Sequence, residues 1–338
     1  MMRREYGAFD VAKFILSFFV CAVHTVSGIL PIYPLARIAV PLFFLMSGYL
    51  FFSGIEGVND ESGKRKRLSR FAVRNVRLYA FWLAALLPIT LILKSYQSDG
   101  PILGPLRFLV NLVLGSTFPA SWYISALVIG VCILFTVRGR VGNTVLLSVS
   151  AALYVVCCFV GNYRGLFGEN SLFVKIFVEY YPGTIYNSFP AGLLWLAVGK
   201  ELAHRRDNKL SRVLYAVMSG VSLSLLFAEH CIISFLGCSS DNDCYFMLVP
   251  TCIFAFLFLR TFDKGICCGN ALRKISTVVY CLHGGIASVF KLLFHDFCAT
   301  RLGAAVLLLV AFTFSVAFAL LILRLEKIKG FKWLRFAH

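Results

Sequence analysis

The sequence predicts an all-α integral membrane protein of about ten transmembrane helices, with both termini in the cytoplasm. Three observations support this fold class: the apolar composition, ten apolar runs of spanning length, and an uneven distribution of Lys and Arg between loops. Of 338 residues, 59% are hydrophobic and 14% are charged, and the mean hydropathy is +0.81. Soluble domains are about half apolar and a quarter charged, so the composition alone indicates a membrane protein.

The apolar runs each approach the roughly 17–25 residues that a helix needs to cross a bilayer. The first run follows Met-Met-Arg-Arg, but it is long enough to span and no small-residue cleavage site follows, so we expect it to be retained. Two further stretches, 101–117 and 171–189, are amphipathic or mixed and are not counted as spans. The ten predicted spans are 9–30, 36–53, 77–94, 119–137, 142–161, 189–204, 212–236, 245–262, 275–294 and 303–324.

The basic residues follow the positive-inside rule. With the N-terminus inside, 25 of the 33 Lys and Arg residues fall in cytoplasmic segments and 7 fall in external ones, while Lys13 lies within the first span. No external segment carries more than two of these residues, whereas cytoplasmic segments carry between two and seven, which is a strong topology signal. The net charge of +17 is therefore explained by membrane topology, and nucleic acid is not expected as a partner.

The twelve cysteines lie mostly inside apolar runs, where they act as small hydrophobic residues. No CxxC spacing is present, so a metal site is not expected. Cys238 and Cys244 flank an acidic loop and are compatible either with an extracytoplasmic disulfide or with two free thiols.

Asp10, Lys13 and His24 form a polar stripe on the first span. Eleven residues at about 100° each place Lys13 and His24 within about 20° of the same helix face, and about 16 Å apart along the axis. In one interpretation Lys13 extends to the interface, Asp10 pairs with it, and His24 bonds a neighbouring helix. In the other, His24 is a general base that substrates reach from both sides of the membrane. The residues favour the first interpretation for Asp10 and Lys13, and the second for His24.

Arg74 and Arg77 form an RxxR pair on one helix face, where the third span enters the membrane. Paired guanidinium groups suit bidentate capture of phosphate. A topology signal with affinity for anionic lipid explains the same two residues, and it is the simpler explanation.

Four other residues are candidates for the same site. His283 lies in the middle of the ninth span beside glycines that permit close helix approach, and it either lines a cavity or makes a structural hydrogen bond. Glu229 and His230 lie in the outer part of the seventh span and could bind acceptor hydroxyls or have a structural role. Trp122 is either an interfacial anchor or a substrate platform.

An ordered set of motifs along the whole chain resembles the membrane-bound acyltransferase 3 family. The set is Lys13-x10-His24, RIAVPLFFLMSGYLF, Arg74-x2-Arg77-Leu78 with Trp82, SWYISALVIG, SDNDCYFMLVP, and ISTVVYCLHG. The family has Arg more often at this position. Lys13 keeps the positive charge but lacks the planar guanidinium group that can form two parallel hydrogen bonds.

The resemblance implies one acyltransferase-3-like transmembrane domain over 1–338, without a fused soluble domain, in the cell (inner or plasma) membrane. It implies an O-acetyltransferase activity from cytoplasmic acyl-CoA, with acetyl-CoA as the expected donor, to a carbohydrate or lipid-linked glycan such as an exopolysaccharide. His24 would be catalytic. Lys13, Arg74 and Arg77 would bind the donor, and Asp10 would position it or hold the first helix in place. Besides acyl-CoA and the glycan acceptor, membrane lipids are the expected partners.

Two other classes of function stay open from the residues. A transporter or permease of a small polar solute is compatible with the fold. However, transporters often contain internal repeats, and no second copy of the Lys-x10-His or VPLFFLMSGYLF pattern is visible. A purely structural membrane protein would leave the stripe at His24 without a purpose.

Overall fold

The computed structural model describes residues 7–26, 33–93, 100–167, 171–179, 184–204, 211–238, 243–262 and 264–338. Regular structure in this part of the chain is helical, apart from an isolated bridge between Arg138 and Val141. The α-helices are α1 (Gly7–Thr25), α2 (Tyr33–Ala36), α3 (Ala39–Glu56), α4 (Glu61–Ile92), α5 (Gly100–Leu114), α6 (Trp122–Val137), α7 (Asn143–Val160), α8 (Leu172–Val174), α9 (Phe189–His204), α10 (Arg212–Phe235), α11 (Leu248–Arg260), α12 (Gly269–Leu293), α13 (His295–Cys298) and α14 (Arg301–Leu325).

All ten predicted spans coincide with helices, and the chain is a multi-pass membrane protein by its helix lengths and composition. Three of the ten predicted spans fall on the shorter helices α6, α9 and α11, which have 16, 16 and 13 residues. The total of ten spans and the cytoplasmic location of the termini therefore stay predictions. Seven segments of the described chain are long and apolar enough to cross a bilayer: Gly7–Thr25, Tyr33–Glu56, Glu61–Ile92, Asn143–Val160, Arg212–Phe235, Gly269–Leu293 and Arg301–Leu325.

Helix α4 begins well before the span that was predicted at 77–94. It starts at Glu61 and runs for 32 residues, with the backbone N–H of Gly63 donating to Asp60 Oδ2 at 2.7 Å as an N-terminal cap. The basic first half is rich in Lys and Arg, which favour helix without being apolar. A hydropathy scan therefore detects only the second half of the helix. The last part of the first predicted span, 27–30, lies outside the described residues.

Close packing of α3 against α9 forms the centre of the bundle. A Cβ atom on Gly199 would lie 2.5 Å from the carbonyl oxygen of Leu45, and one on Gly48 would lie 2.8 Å from that of Leu196. The two backbones approach so closely only because neither position carries a side chain. On one side of this pair, α1 packs against α12, and α12 packs against α14. The contact between α1 and α12 positions the candidate site described below.

The C-terminal segment Lys329–Ala337 folds back onto the bundle as a 3₁₀ helix. Trp82 Nε1 donates to the carbonyl oxygen of Ala337 at 3.0 Å. Lys274 Nζ and His338 Nε2 lie 2.9 Å and 2.6 Å from the two carboxylate oxygens of Glu326. Burial would by itself raise the pKa of Glu326, but these two hydrogen bonds outweigh it and hold the pKa below its usual range.

Replacing Glu326 by Gln is expected to destabilise the protein by about 1–2 kcal/mol at pH 7, because the amide loses its charge-assisted hydrogen bonds. The folded-state pKa lies below the ordinary 4.5, so the carboxylate's contribution is complete above pH 4.5. It is lost as the pH falls through the lowered value. Thermal unfolding in detergent should show a difference between wild type and variant at pH 7 that shrinks below pH 4. An equal difference at both pH values would contradict this explanation.

Cys238 and Cys244 are both buried, and both are free thiols. Cys238 Sγ donates to the carbonyl oxygen of Leu236 at 3.6 Å. Of the two states that the sequence leaves open, the structure has the reduced one. The acidic loop residues 239–242 between them lie outside the described residues.

Candidate functional site

Helix α1 carries the three polar residues that the sequence singled out. Asp10 lies in its first turn and His24 in its last turn, so the continuous helix places them near opposite ends of one element. With a rise of about 1.5 Å per residue, Lys13 and His24 are about 16 Å apart along the axis. The site therefore has a basic end at Lys13 and an imidazole end at His24.

At the imidazole end, His24 meets His283 of α12. The two ring centroids are 5.2 Å apart, and the ring planes are inclined by 40°. Lys291 Nζ, also on α12, donates to the carbonyl oxygen of His24 at 2.9 Å, which holds the end of α1 against its neighbour. The structure thus brings together two residues that the sequence singled out separately.

The hydrogen bonding of His283 determines its tautomer. Its Nδ1 lies 3.0 Å from the carbonyl oxygen of Val279, and because a carbonyl oxygen can only accept, Nδ1 carries the proton. Nε2 of the neutral ring is then an acceptor. His283 is fully buried, and its Nε2 has no hydrogen-bond partner in the part of the chain that the structure describes. A buried acceptor left open beside a second imidazole is suited to a hydroxyl group or a water.

A cavity of about 570 Å³ opens beside His24. Its walls combine aromatic rings with a small number of polar groups, which is the usual character of a small-molecule site. The aromatic lining residues are Tyr33, Phe44, Trp122, Tyr154, Tyr186 and Trp195. The polar lining residues, besides His24, include Arg37, Ser116, Asn187 and Asp243.

Arg37 and Asp243 belong to this cavity but were not singled out from the sequence. The Arg37 guanidinium bonds both the Asp243 carboxylate and the Tyr33 hydroxyl. Arg37 is the second residue of the predicted span 36–53, Asp243 lies just before the span 245–262, and nothing in the sequence links the two. The available signal was the isolation of Arg37, which is the single Lys or Arg residue between Lys13 and Lys64.

The segment between α5 and α6 forms one wall of the cavity and positions Trp122. Trp122 N donates to Ser116 Oγ at 3.2 Å, and Ser121 Oγ accepts from Thr117 N at 3.0 Å. Ala120 has a φ of +66°, a region that non-glycine residues rarely occupy. Its carbonyl oxygen accepts a hydrogen bond from the Tyr280 hydroxyl of α12, so the strained backbone is held in place by the helix that carries His283.

At the basic end, the charged groups that act on Lys13 are Asp10, Arg273 and Arg74. Asp10 Oδ1 lies 3.5 Å from Arg273 Nε of α12. Asp10 thus ties α1 to the start of α12, in addition to its interaction with Lys13. Electrostatic interactions therefore link four charged groups from α1, α4 and α12, at a position about 16 Å from His24 along α1.

The two arginines of the RxxR pair are exposed and have different surroundings. The Arg74 guanidinium lies 5.8 Å from the Phe71 ring centroid and is one of the charges near Lys13. The Arg77 guanidinium lies 5.7 Å from the ring centroid of Phe336 in the C-terminal segment. The structure groups Arg74 with the basic end of the site and places Arg77 at its edge.

Glu229 and His230 bind protein groups away from His24. Glu229 Oε1 and Oε2 each accept a backbone N–H at 2.7 Å, from Phe246 and Met247 respectively, so this carboxylate caps the start of α11. His230 Nδ1 lies 2.9 Å from the Tyr245 hydroxyl. Neither residue lines the cavity beside His24, and their acceptor-binding role stays a prediction. In the described residues, no three His, Cys, Asp or Glu side chains are grouped to hold a metal ion.

A comparison with known protein families shows to which family the chain belongs. The family model described as "Acyltransferase domain" matches residues 6–324. The chain belongs to acyltransferase family 3. The expected resemblance is therefore confirmed, and the match of this acyltransferase-3 chain extends over nearly its whole length.

This acyltransferase-3 chain is also similar to curated bacterial proteins that are named as racemases. An "Amino-acid racemase" of Enterococcus faecalis is 22% identical over 301 residues, which are 83% of this chain and 41% of that protein. A "Serine/alanine racemase" of Enterococcus gallinarum is 26% identical over 227 residues, which are 66% of this chain and 32% of that protein. The chain spans less than half the length of these relatives. No solved structure matches it.

Proposed function

We propose that this chain is a membrane O-acyltransferase that moves an acyl group from cytoplasmic acyl-CoA to a hydroxyl of a cell-envelope carbohydrate or lipid-linked sugar. Acetyl is the first choice of acyl group, and the cell (inner or plasma) membrane is the proposed location. The proposal rests on the paired imidazoles of His24 and His283 beside an aromatic cavity of about 570 Å³. These stand in a chain that belongs to an acyltransferase family.

The basic end is proposed to hold the donor. The charge of Arg74 acts on Lys13, and Arg77 follows on the exposed surface of α4. These cations match the phosphates of acyl-CoA in charge, and Arg74 and Arg77 can each form two parallel hydrogen bonds to a phosphate. The pantetheine arm then covers the distance of about 16 Å along α1 to His24.

His24 is proposed to act as the general base. It removes the proton of the acceptor hydroxyl as that oxygen bonds to the thioester carbonyl carbon. The carbon–sulfur bond then breaks, and the imidazolium returns the proton to the coenzyme A thiolate. His283 is proposed as a positioning residue: its open Nε2 accepts a hydrogen bond from a hydroxyl or water between the rings, which orients that group toward His24.

The aromatic cavity is proposed to hold the acceptor. Trp122, Trp195 and Tyr186 supply flat apolar surfaces for the faces of a sugar ring, with polar tips for its hydroxyls. Arg37 and Asp243, which form an ion pair on the cavity wall, supply a donor and an acceptor. A few polar groups among aromatic walls are what fixes the orientation of a small ligand.

The direct test is acyl transfer by the purified protein in liposomes. Radiolabelled acetyl-CoA is supplied on the side of Lys13, and sugar or oligosaccharide acceptors on the other side. We expect label on an acceptor, or release of labelled acetate when no acceptor is present. If wild type that is demonstrably folded neither binds nor consumes acetyl-CoA, succinyl-CoA or other short acyl-CoAs, the proposal fails.

Replacing both Arg74 and Arg77 by Gln is expected to raise KM for acyl-CoA about tenfold or more while kcat changes little, because the lost contacts are made equally in ground and transition states. Steady-state kinetics at two salt concentrations measure this. Arg301→Gln, an exposed arginine at the predicted external end of α14, is the matched control and should leave KM unchanged. A fall in kcat at unchanged KM would place the pair in the chemical step instead.

A transporter of a small polar solute is the second candidate. The observation that favours it is the name of the relatives, which are amino-acid racemases, together with the opposite charges of Arg37 and Asp243 in one cavity. Those charges could hold the carboxylate and ammonium groups of an amino acid. Uptake of radiolabelled serine or alanine into proteoliposomes, without acyl-CoA and unaffected by His24→Ala, would select this candidate.

A further inference from the structure

A second cavity, of about 710 Å³, lies at the other end of α3, α6 and α9 from His24. On α3 its lining residue Phe52 is eight positions beyond Phe44 of the first cavity, which is about 12 Å along the helix. Part of its lining is apolar and includes Leu68 and Phe135. Its lining is strongly cationic, with Lys64, Arg65, Arg138, Arg140 and Lys200.

Among the described residues, one carboxylate lines this cavity, and two of the cations already engage it. Glu61 Oε1 lies 3.2 Å from Lys64 Nζ, and its Oε2 lies 2.5 Å from Arg138 Nη2. The guanidinium of Arg138 is also held over the Phe135 ring, 3.2 Å from its centroid. The described lining thus has one negative charge against five positive ones, and it stays net positive when the nearby Glu201 is added.

Lys200 is the most informative of these cations because it is almost completely buried, with 5% of its surface exposed. Its ammonium has three N–H donors, and one of them reaches Asn143 Oδ1 at 2.7 Å. That is its one hydrogen bond to the described residues. The charges that act on it are Glu201 and Arg138, and Glu201 Oε2 accepts from Asn143 Nδ2 at 3.0 Å.

A buried ammonium is costly unless an anion and further acceptors compensate it. Glu201 attracts Lys200 and Arg138 repels it, Asn143 is neutral, and two N–H donors of Lys200 have no acceptor among the described residues. An anion with several oxygen atoms would satisfy Lys200 and could contact Arg138 and Arg140 at the same time. The apolar lining residues add a contact surface for a non-polar portion of the same ligand.

We propose that this cavity is a binding site for the phosphoryl group of an anionic ligand, with Lys200 as its buried anchor. The ligand carries a phosphate joined to an apolar or aromatic part. Two sources have this chemistry: the headgroup of an anionic phospholipid, and the 3′-phospho-ADP end of coenzyme A. The site is separate from His24, and it stands whether or not the chain transfers acyl groups.

The test uses the full-length protein with two probes. Adenosine 3′,5′-bisphosphate is titrated by calorimetry, and phosphatidylglycerol retention is measured by native mass spectrometry from an equal mixture with phosphatidylcholine. Lys200→Met keeps the approximate length of the side chain and removes the charge, and thermal unfolding checks that the variant is folded. Lys332→Met, in the exposed C-terminal segment, is the matched control.

We expect wild type and Lys332→Met to bind one of the two probes, and Lys200→Met to bind it about tenfold more weakly, the effect of one charge-assisted hydrogen bond. Loss of bisphosphate binding identifies coenzyme A as the source, and loss of phosphatidylglycerol retention identifies the lipid. His24→Ala should bind as wild type does, whatever its transfer activity. Binding of neither probe, or equal binding by Lys200→Met and wild type, overturns the proposal.

Discussion

Replacing His24 by Ala is expected to lower kcat for acyl transfer by about 10²–10⁴-fold, the contribution typical of general-base catalysis. The binding of acyl-CoA should be almost unchanged, because its proposed phosphate contacts lie about 16 Å away at Lys13 and Arg74. His24 lies in the last turn of α1 with its side chain beside the cavity, so alanine removes the imidazole without creating a buried charge. The protein should therefore fold normally.

The measurement is single-turnover release or transfer from radiolabelled acetyl-CoA, with thermal unfolding as the check on folding. His295→Ala is the matched control, since it removes an imidazole that is 88% exposed and that lines neither cavity. It should behave as wild type. If His24→Ala retains wild-type turnover, the imidazole is not the base, and the polar stripe on α1 is structural.

The polar stripe of α1 was predictable because it depends on one helix alone. The positions of Asp10, Lys13 and His24 follow from helical periodicity, and the structure has them on one unbroken helix. Family membership followed from ordered motifs along the chain and is confirmed. The length of α4 was underestimated because its basic half is helical through propensity and capping, which hydropathy does not register.

The contacts between helices were not predictable from one sequence. His283 meets His24 only because α12 packs against α1, and the Arg37–Asp243 pair joins two segments that are distant along the chain. The burial of Lys200 likewise depends on how α9 packs with its neighbours. Local patterns specify which face of a helix is polar, whereas the identity of the facing helix depends on packing such as that of Gly48 and Gly199.

Replacing His283 by Asn is expected to lower kcat about tenfold to a hundredfold, the cost of misplacing a reacting group, while KM for acyl-CoA stays constant. Asn can still donate to the Val279 carbonyl oxygen, as Nδ1 does now at 3.0 Å, but it has no atom at the position of Nε2. Gln places an oxygen acceptor near that position. It should therefore recover most of the lost activity.

The two substitutions separate a positioning role from a structural one because they preserve opposite halves of the imidazole. If His283 only holds α12 together through Val279, Asn is the better replacement and Gln the worse one, and thermal stability should follow the same order. If the open Nε2 orients a hydroxyl or water toward His24, the order of activity is reversed, with Gln above Asn. The dependence of kcat/KM on pH should also change in the Asn variant, since His283, Arg37 and Lys291 are the charged or titratable groups around His24. Activity of Asn at or above that of Gln, with an unchanged pH profile, would leave His283 a structural residue and His24 to act without it.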